Sequence, residues 1–142
     1  MKRVSLFLVI LFIFTGFSCT KKGDNTSQSS SSSSGFEELI TIKKGEKLVL
    51  DSPKKFVELW ILYNLEQKKW FQEIANNTNI STNEEGEAKM AEFLEEKKKE
   101  FYQSFGITEK DFVNYSMNNI KKIQTFLEEN PEYKRAYEKS ME

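Results

Sequence analysis

Few side chains in this sequence could do covalent chemistry. There is one cysteine, Cys19, and no histidine. Without imidazole the chain lacks the commonest general base and the commonest transition-metal ligand. One cysteine by itself offers no zinc-ligand spacing. Ser52-Pro53-Lys54-Lys55 sets a lysine three residues after a serine, the S-x-x-K order in which an amine activates a hydroxyl. Ser116-Met117-Asn118 adds an S-x-N, but no K-T-G follows. Helix capping explains Ser52 without catalysis. Glu84, Glu85, Glu87, Glu92, Glu95 and Glu96 could in principle supply the two carboxylates of glycoside hydrolysis. A run of this kind is ordinarily a solvated helix face. There is no P-loop, dinucleotide-binding glycine pattern or EF-hand loop. The expectation is a non-enzymatic protein with no catalytic residues, no metal and no cofactor.

Charge excludes a further class. The 21 basic and 22 acidic residues leave a formal net charge of -1. No strongly basic field exists to attract a phosphate backbone, so no nucleic-acid partner is expected. That leaves Cys19 to be explained. It follows a basic start, Lys2 and Arg3, and an apolar run from Val4 to Phe14 broken only by Ser5. A spanning helix needs about 20 apolar residues, whereas a run of about 10–14 suits the h-region of a signal peptide. From Thr20 to Gly35 there is no large apolar residue and there are six consecutive serines. Such a tract cannot offset the entropy of ordering. Its sixteen residues span roughly 20–25 Å as a random coil. An exported chain with one cysteine has no partner for an intramolecular disulfide, so the thiol requires another use.

Gly16-Phe17-Ser18-Cys19 resembles the end of a bacterial lipoprotein leader, whose lipobox closes on an obligatory cysteine. The resemblance covers residues 1 to about 20. Gly16 stands where leucine is usual in that family and Phe17 where a small residue is usual. It implies that residues 1–18 are a signal peptide cut after Ser18. It also implies that the Cys19 thiol carries a diacylglycerol and that residues 19–35 tether a domain of residues 36–142. The membrane would then be a partner through covalent lipid on Cys19. The location would be the cell membrane or outer membrane, with the domain periplasmic or at the cell surface. Thr20, rather than an aspartate, follows the cysteine, which by that family's rule favours the outer membrane.

The elements of the domain follow from periodicity and caps. Phe36 to Leu50 reads either as a hairpin turning at Lys44-Gly45 or as an irregular, partly helical arm. Ser52-Pro53 starts a helix. Phe56 to Leu65 is apolar on nearly every face, so this helix is expected to be buried. Phe56, Trp60, Tyr63, Trp70 and Ile74 are expected to form one seam, ending near Asn76-Asn77. Ser81 and Glu84 make a capping box for a second helix, with Met90, Leu94, Phe101 and Phe105 on its inner stripe. A lysine, Lys97 or Lys98, must cross that stripe with its methylene stem. Gly106 is the expected left-handed stop. Thr108 and Asp111 cap a third helix expected to bury Phe112, Tyr115, Ile120, Ile123, Phe126 and Leu127. Asn130-Pro131 opens a short fourth helix with Tyr133, Ala136, Tyr137 and Met141 on one side. The fold class is all-α, a small antiparallel bundle of three long helices and one short one.

Fifteen of the aromatic residues fall in residues 36–142. A small bundle needs such bulk to fill its core. Where flanking sequence is polar, Trp70 with Phe71, and Tyr133 with Tyr137, are candidates for contact with a partner protein. The expected role is a lipid-anchored envelope protein displaying a helical interaction domain. The alternative is a periplasmic or surface module holding a small lipophilic ligand or peptide in an apolar groove of the bundle.

Overall fold

The computed structural model describes residues 38–76 and 84–142, all within one unit, Ser32–Glu142. The expected leader and cut (1–18), Cys19, the tether to residue 35 and the capping residue Ser81 lie outside the described residues. The fold is a small all-α bundle of four helices: α1 (Pro53–Asn76), α2 (Glu84–Ser104), α3 (Glu109–Glu129) and α4 (Pro131–Met141). An irregular arm, residues 38–50, precedes them.

The described junctions have local causes. Ser52 Oγ accepts from the Lys55 amide at 3.5 Å, and Pro53 occupies the first helical position, where its missing N–H costs nothing. Gly106 ends α2 at φ +65°. A Cβ there would meet Lys47 of the arm only at ordinary contact distance, 3.4 Å, so it is the left-handed turn that requires glycine. Thr108 Oγ1 accepts from the Asp111 amide at 3.2 Å, and the Asp111 carboxylate accepts from the Thr108 amide at 2.8 Å. This reciprocal capping box satisfies two otherwise orphaned donors. Asn130 alone separates α3 from α4 and donates its side-chain amide to the Phe126 carbonyl at 2.7 Å.

α1 is the central element and packs against α2, α3 and α4. Its all-round apolarity is needed because it serves two clusters. Leu59 and Trp70 join Leu48 of the arm and Phe101, Tyr102 and Phe105 of α2. Phe56, Val57 and Ile61 join Ile123 of α3 with Tyr133 and Ala136 of α4. Phe112 and Leu50 touch both clusters. The single seam expected along α1 is therefore divided. Phe56 and Trp60 face the α3–α4 side, whereas Tyr63 and Trp70 face α2. Lys98 is the residue that crosses the α2 stripe. Its side chain is largely buried and its ammonium pairs with Glu95 at 2.6 Å and Glu109 at 3.2 Å, joining α2 to the start of α3. Burial alone pulls the Lys98 pKa down, but the two carboxylates outweigh it and raise it.

Two expected core positions face solvent instead. Ile120 is 52 % exposed. The backbone leaves helical geometry at Asn119 (φ −127°, ψ 18°), whose side-chain amide donates to the Tyr115 carbonyl at 3.0 Å. The residue after that kink turns out of the buried stripe. Met141 is 51 % exposed, because the buried line of α4 runs through Tyr133, Ala136 and Ser140. Ser140 is fully enclosed, accepts from Asn64 Nδ2 at 2.9 Å and donates to the Tyr137 carbonyl at 2.6 Å.

Candidate functional site

The arm is neither strand nor hairpin. It turns at residues 44–46, with Gly45 at φ +87°, but its hydrogen bonds go to the helices. Gly45 N–H donates to the Ser104 carbonyl at 2.7 Å and Leu48 N–H to the Phe105 carbonyl at 2.8 Å. These are carbonyls at the end of α2, which lack helical partners of their own. Lys44 pairs with Glu66 of α1 at 3.0 Å.

Glu58 of α1 holds the front of the arm. Its side chain is fully buried. Oε2 accepts from the Thr41 and Ile42 amides at 2.9 and 3.1 Å. Thr41 Oγ1 lies 2.9 Å from the same oxygen. Oε1 accepts from the Tyr133 hydroxyl of α4 at 3.2 Å and lies 3.5 Å from the Lys54 ammonium. A carboxylate removed from water costs several kcal/mol unless it is both paired and hydrogen-bonded. Here two backbone amides, two hydroxyls and one cation surround it. The Tyr133 hydroxyl also lies 2.9 Å from the Leu39 carbonyl, so arm, α1 and α4 meet at one phenol.

Burial, and then the Glu58 charge, push the Tyr133 phenol up to about 12; burial pushes Tyr137 up to about 12 as well. Unfolded tyrosine ionises near pH 10. Above that the unfolded chain releases protons that the folded chain retains. The stability these phenols contribute is therefore whole below about pH 10 and is lost as pH rises towards 12, by at most about 1.4 kcal/mol per unit for each group. Urea midpoints should fall clearly between about pH 9 and about pH 11, and by less in Tyr133→Phe. Tyrosinate absorbance that titrates wholly near 10 in the folded protein would contradict this.

Comparison with known families, curated proteins and solved structures gives no significant match.

Trp70 and Tyr133 are buried. The Trp70 ring meets Tyr63 and Phe101 edge-on, and Tyr133 packs on Phe126 at 5.2 Å. Tyr137 is half-buried with its ring 4.7 Å from Trp60. Phe71 is about half exposed. The four aromatics thus do not converge on one surface, and Phe71 presents the most area to a partner. Ser52 acts as a cap, and the Lys55 ammonium is engaged by Asp51 at 3.1 Å. Glu85, Glu87, Glu92, Glu95 and Glu96 are exposed. Among the described residues no three His, Cys, Asp or Glu side chains are grouped to hold a metal ion, and no helix is long and apolar enough to cross a membrane.

Among the described residues, two open clefts stand out. One, of about 620 Å³, lies along α2 and the turn to α3, rimmed by Glu92, Glu95, Lys98, Lys99 and Glu109. The other, of about 450 Å³, runs between the arm at Lys47–Leu50 and the α3 residues Asn114, Asn118 and Asn119. Charged and amide side chains make up most of the first rim, whereas the second mixes them with Leu48, Val49, Leu50 and Ile107. Glu58 is the residue that sequence reasoning missed. Its signal was a lone carboxylate inside an otherwise apolar helical stretch, FVELWIL. A charge there is either exposed or matched, and only the distant Thr41 and Tyr133 show which.

Proposed function

We propose that the protein is a lipid-anchored bacterial envelope protein that displays a non-enzymatic helical interaction domain. One observation carries this reading: the single cysteine sits where a short apolar run behind Lys2 and Arg3 gives way to a tract without large apolar residues. A diacylglycerol on Cys19 adds about 0.8 kcal/mol of membrane affinity for each buried methylene, and two or more chains anchor a protein stably. The tether then sets the reach, and the bundle supplies the surface. The character of Glu58 supports a non-enzymatic domain. It is enclosed and surrounded by donors that tie the arm to α1 and α4, an architectural use of a carboxylate.

Metabolic labelling with palmitate tests the reading. The intact chain should incorporate label and fractionate with membranes. Cys19→Ala should incorporate none and should not mature by cleavage after residue 18. Label that fails to enter the intact chain would refute the anchor.

A further inference from the structure

The outward side of α3 differs from the rest of the chain. From Phe112 to Leu127 there is no carboxylate, although the chain holds 22 acidic residues. Lys121 and Lys122 lie in this stretch and Lys110 just before it, all three exposed. Met117 is 67 % exposed and Ile120, three residues on and so adjacent on the helix surface, 52 %. The buried face of α3 already runs through Phe112 and Ile123, so this second apolar line has no packing role. The arm extends it. Val49, 59 % exposed, and Lys47 border the shallow cleft that Asn114 and Asn118 of α3 also line. Three of the five large apolar side chains exposed among the described residues are therefore on α3 or on the arm beside it. The carboxylates just before the stretch are engaged elsewhere: Asp111 in the Thr108 cap and Glu109 with Lys98. Glu128 and Glu129 stand at the far end of the helix.

We propose that this side of α3 docks on the anionic headgroup surface of the bilayer that holds the Cys19 lipid. Met117 and Ile120 enter the interface and Lys110 and Lys121 meet headgroup phosphates, with Lys122 on one flank and Val49 and Lys47 of the arm at the margin. The proposal rests on the lipid-anchor reading and adds to it what the tethered domain contacts. Apolar side chains flanked by lysines are the pattern of a helix that lies in a membrane interface. A second copy fits less well, because a two-fold interface sets the same patch against itself. Lysines would then face lysines with no carboxylate between them. A patch this small needs help, and the tether supplies it. That covalent link makes docking intramolecular, with an effective concentration that turns weak contact into occupancy.

The test uses the full lipidated chain in vesicles. Lipid occupies the thiol of Cys19, so Met117→Cys offers one site for an environment-sensitive fluorophore, with Glu87→Cys on α2 as the control. In phosphatidylcholine vesicles containing phosphatidylglycerol, emission at 117 should shift to the blue. Nitroxide lipids should quench it at least about twofold more than at 87. The difference should shrink in phosphatidylcholine alone and in the combined variant Lys110→Glu, Lys121→Glu, Lys122→Glu. Equal, water-like signals at both positions on protein that stays vesicle-bound overturn the docking while leaving the anchor intact. A shift at 117 that ignores lipid charge and grows with protein density points to a second copy and also overturns it. A mass spectrum without diacylglycerol on Cys19 removes the anchor, and the docking with it.

Discussion

Glu58→Ala should lower the folding free energy by about 3–5 kcal/mol, the cost of removing one side of a buried, hydrogen-bonded charge arrangement. The loss has several sources that act together. The Thr41 and Ile42 amides lose their acceptor where the arm meets α1. The Tyr133 hydroxyl keeps only the Leu39 carbonyl. The truncated side chain leaves a void in a site that is wholly enclosed. Against a total stability of about 5–15 kcal/mol for a domain of ordinary size, such a loss is a large fraction. Glu58→Gln should cost less, about 1–3 kcal/mol, because one oxygen still accepts while the new amide group meets donors at the other position. The effect should also have a location. Hydrogen exchange of the Thr41 and Ile42 amides should accelerate more than that of the α2–α3 turn, whose bonds are independent of Glu58. Urea denaturation with an unchanged m-value gives the first quantity. A Glu58→Ala protein within about 0.5 kcal/mol of the parent, with arm amides still protected, would show that the carboxylate does not hold the arm.

Phe56→Ala should be comparably damaging, at about 3–5 kcal/mol. Phe56 is completely buried at the start of α1. Its ring stacks on Phe112 at 4.5 Å and on Tyr115 at 5.4 Å, and meets Trp60 edge-on at 5.5 Å. One side chain therefore ties α1 to α3 beside the point where Phe112 joins the two clusters. Stacking adds to simple burial, so Phe56 and Phe112 should be coupled. A cycle built from Phe56→Leu, Phe112→Leu and the double variant should return about 0.5–1.5 kcal/mol of interaction energy. Additivity within about 0.3 kcal/mol would mean that the rings merely fill adjacent space. The same rings explain the aromatic content of the domain. Tyr63, Trp70, Phe101 and Tyr102 form a second ring cluster with α2, so Trp70 is engaged inside the bundle.

What the sequence determined by itself was what depends on near neighbours along the chain. The turn from Ser104 to Phe112 is complete in nine residues: a left-handed glycine, then a threonine and an aspartate three positions apart that satisfy each other's amides. Ser52-Pro53 and Asn130-Pro131 mark helix starts because proline suits the first helical position, and the all-round apolarity of Phe56 to Leu65 required α1 to be enclosed. The four-helix content and the all-α class follow from these local signals. Tertiary structure decided everything that depends on distant partners. Glu58 takes its donors from residues 16 and 17 positions earlier and 75 positions later, and no periodicity reports such pairings. The arm could not be assigned from its own residues, because its amides are satisfied by the end of α2 and by a glutamate of α1. The seam of α1 divided because two different helix surfaces compete for it, and Ile120 turned outward at a kink that the spacing rule does not contain. Local geometry is set by hydrogen bonds that close within a few residues, and could be read directly. The arm, the buried carboxylate and the exposed side of α3 are consequences of which surfaces remained uncovered once the helices had packed.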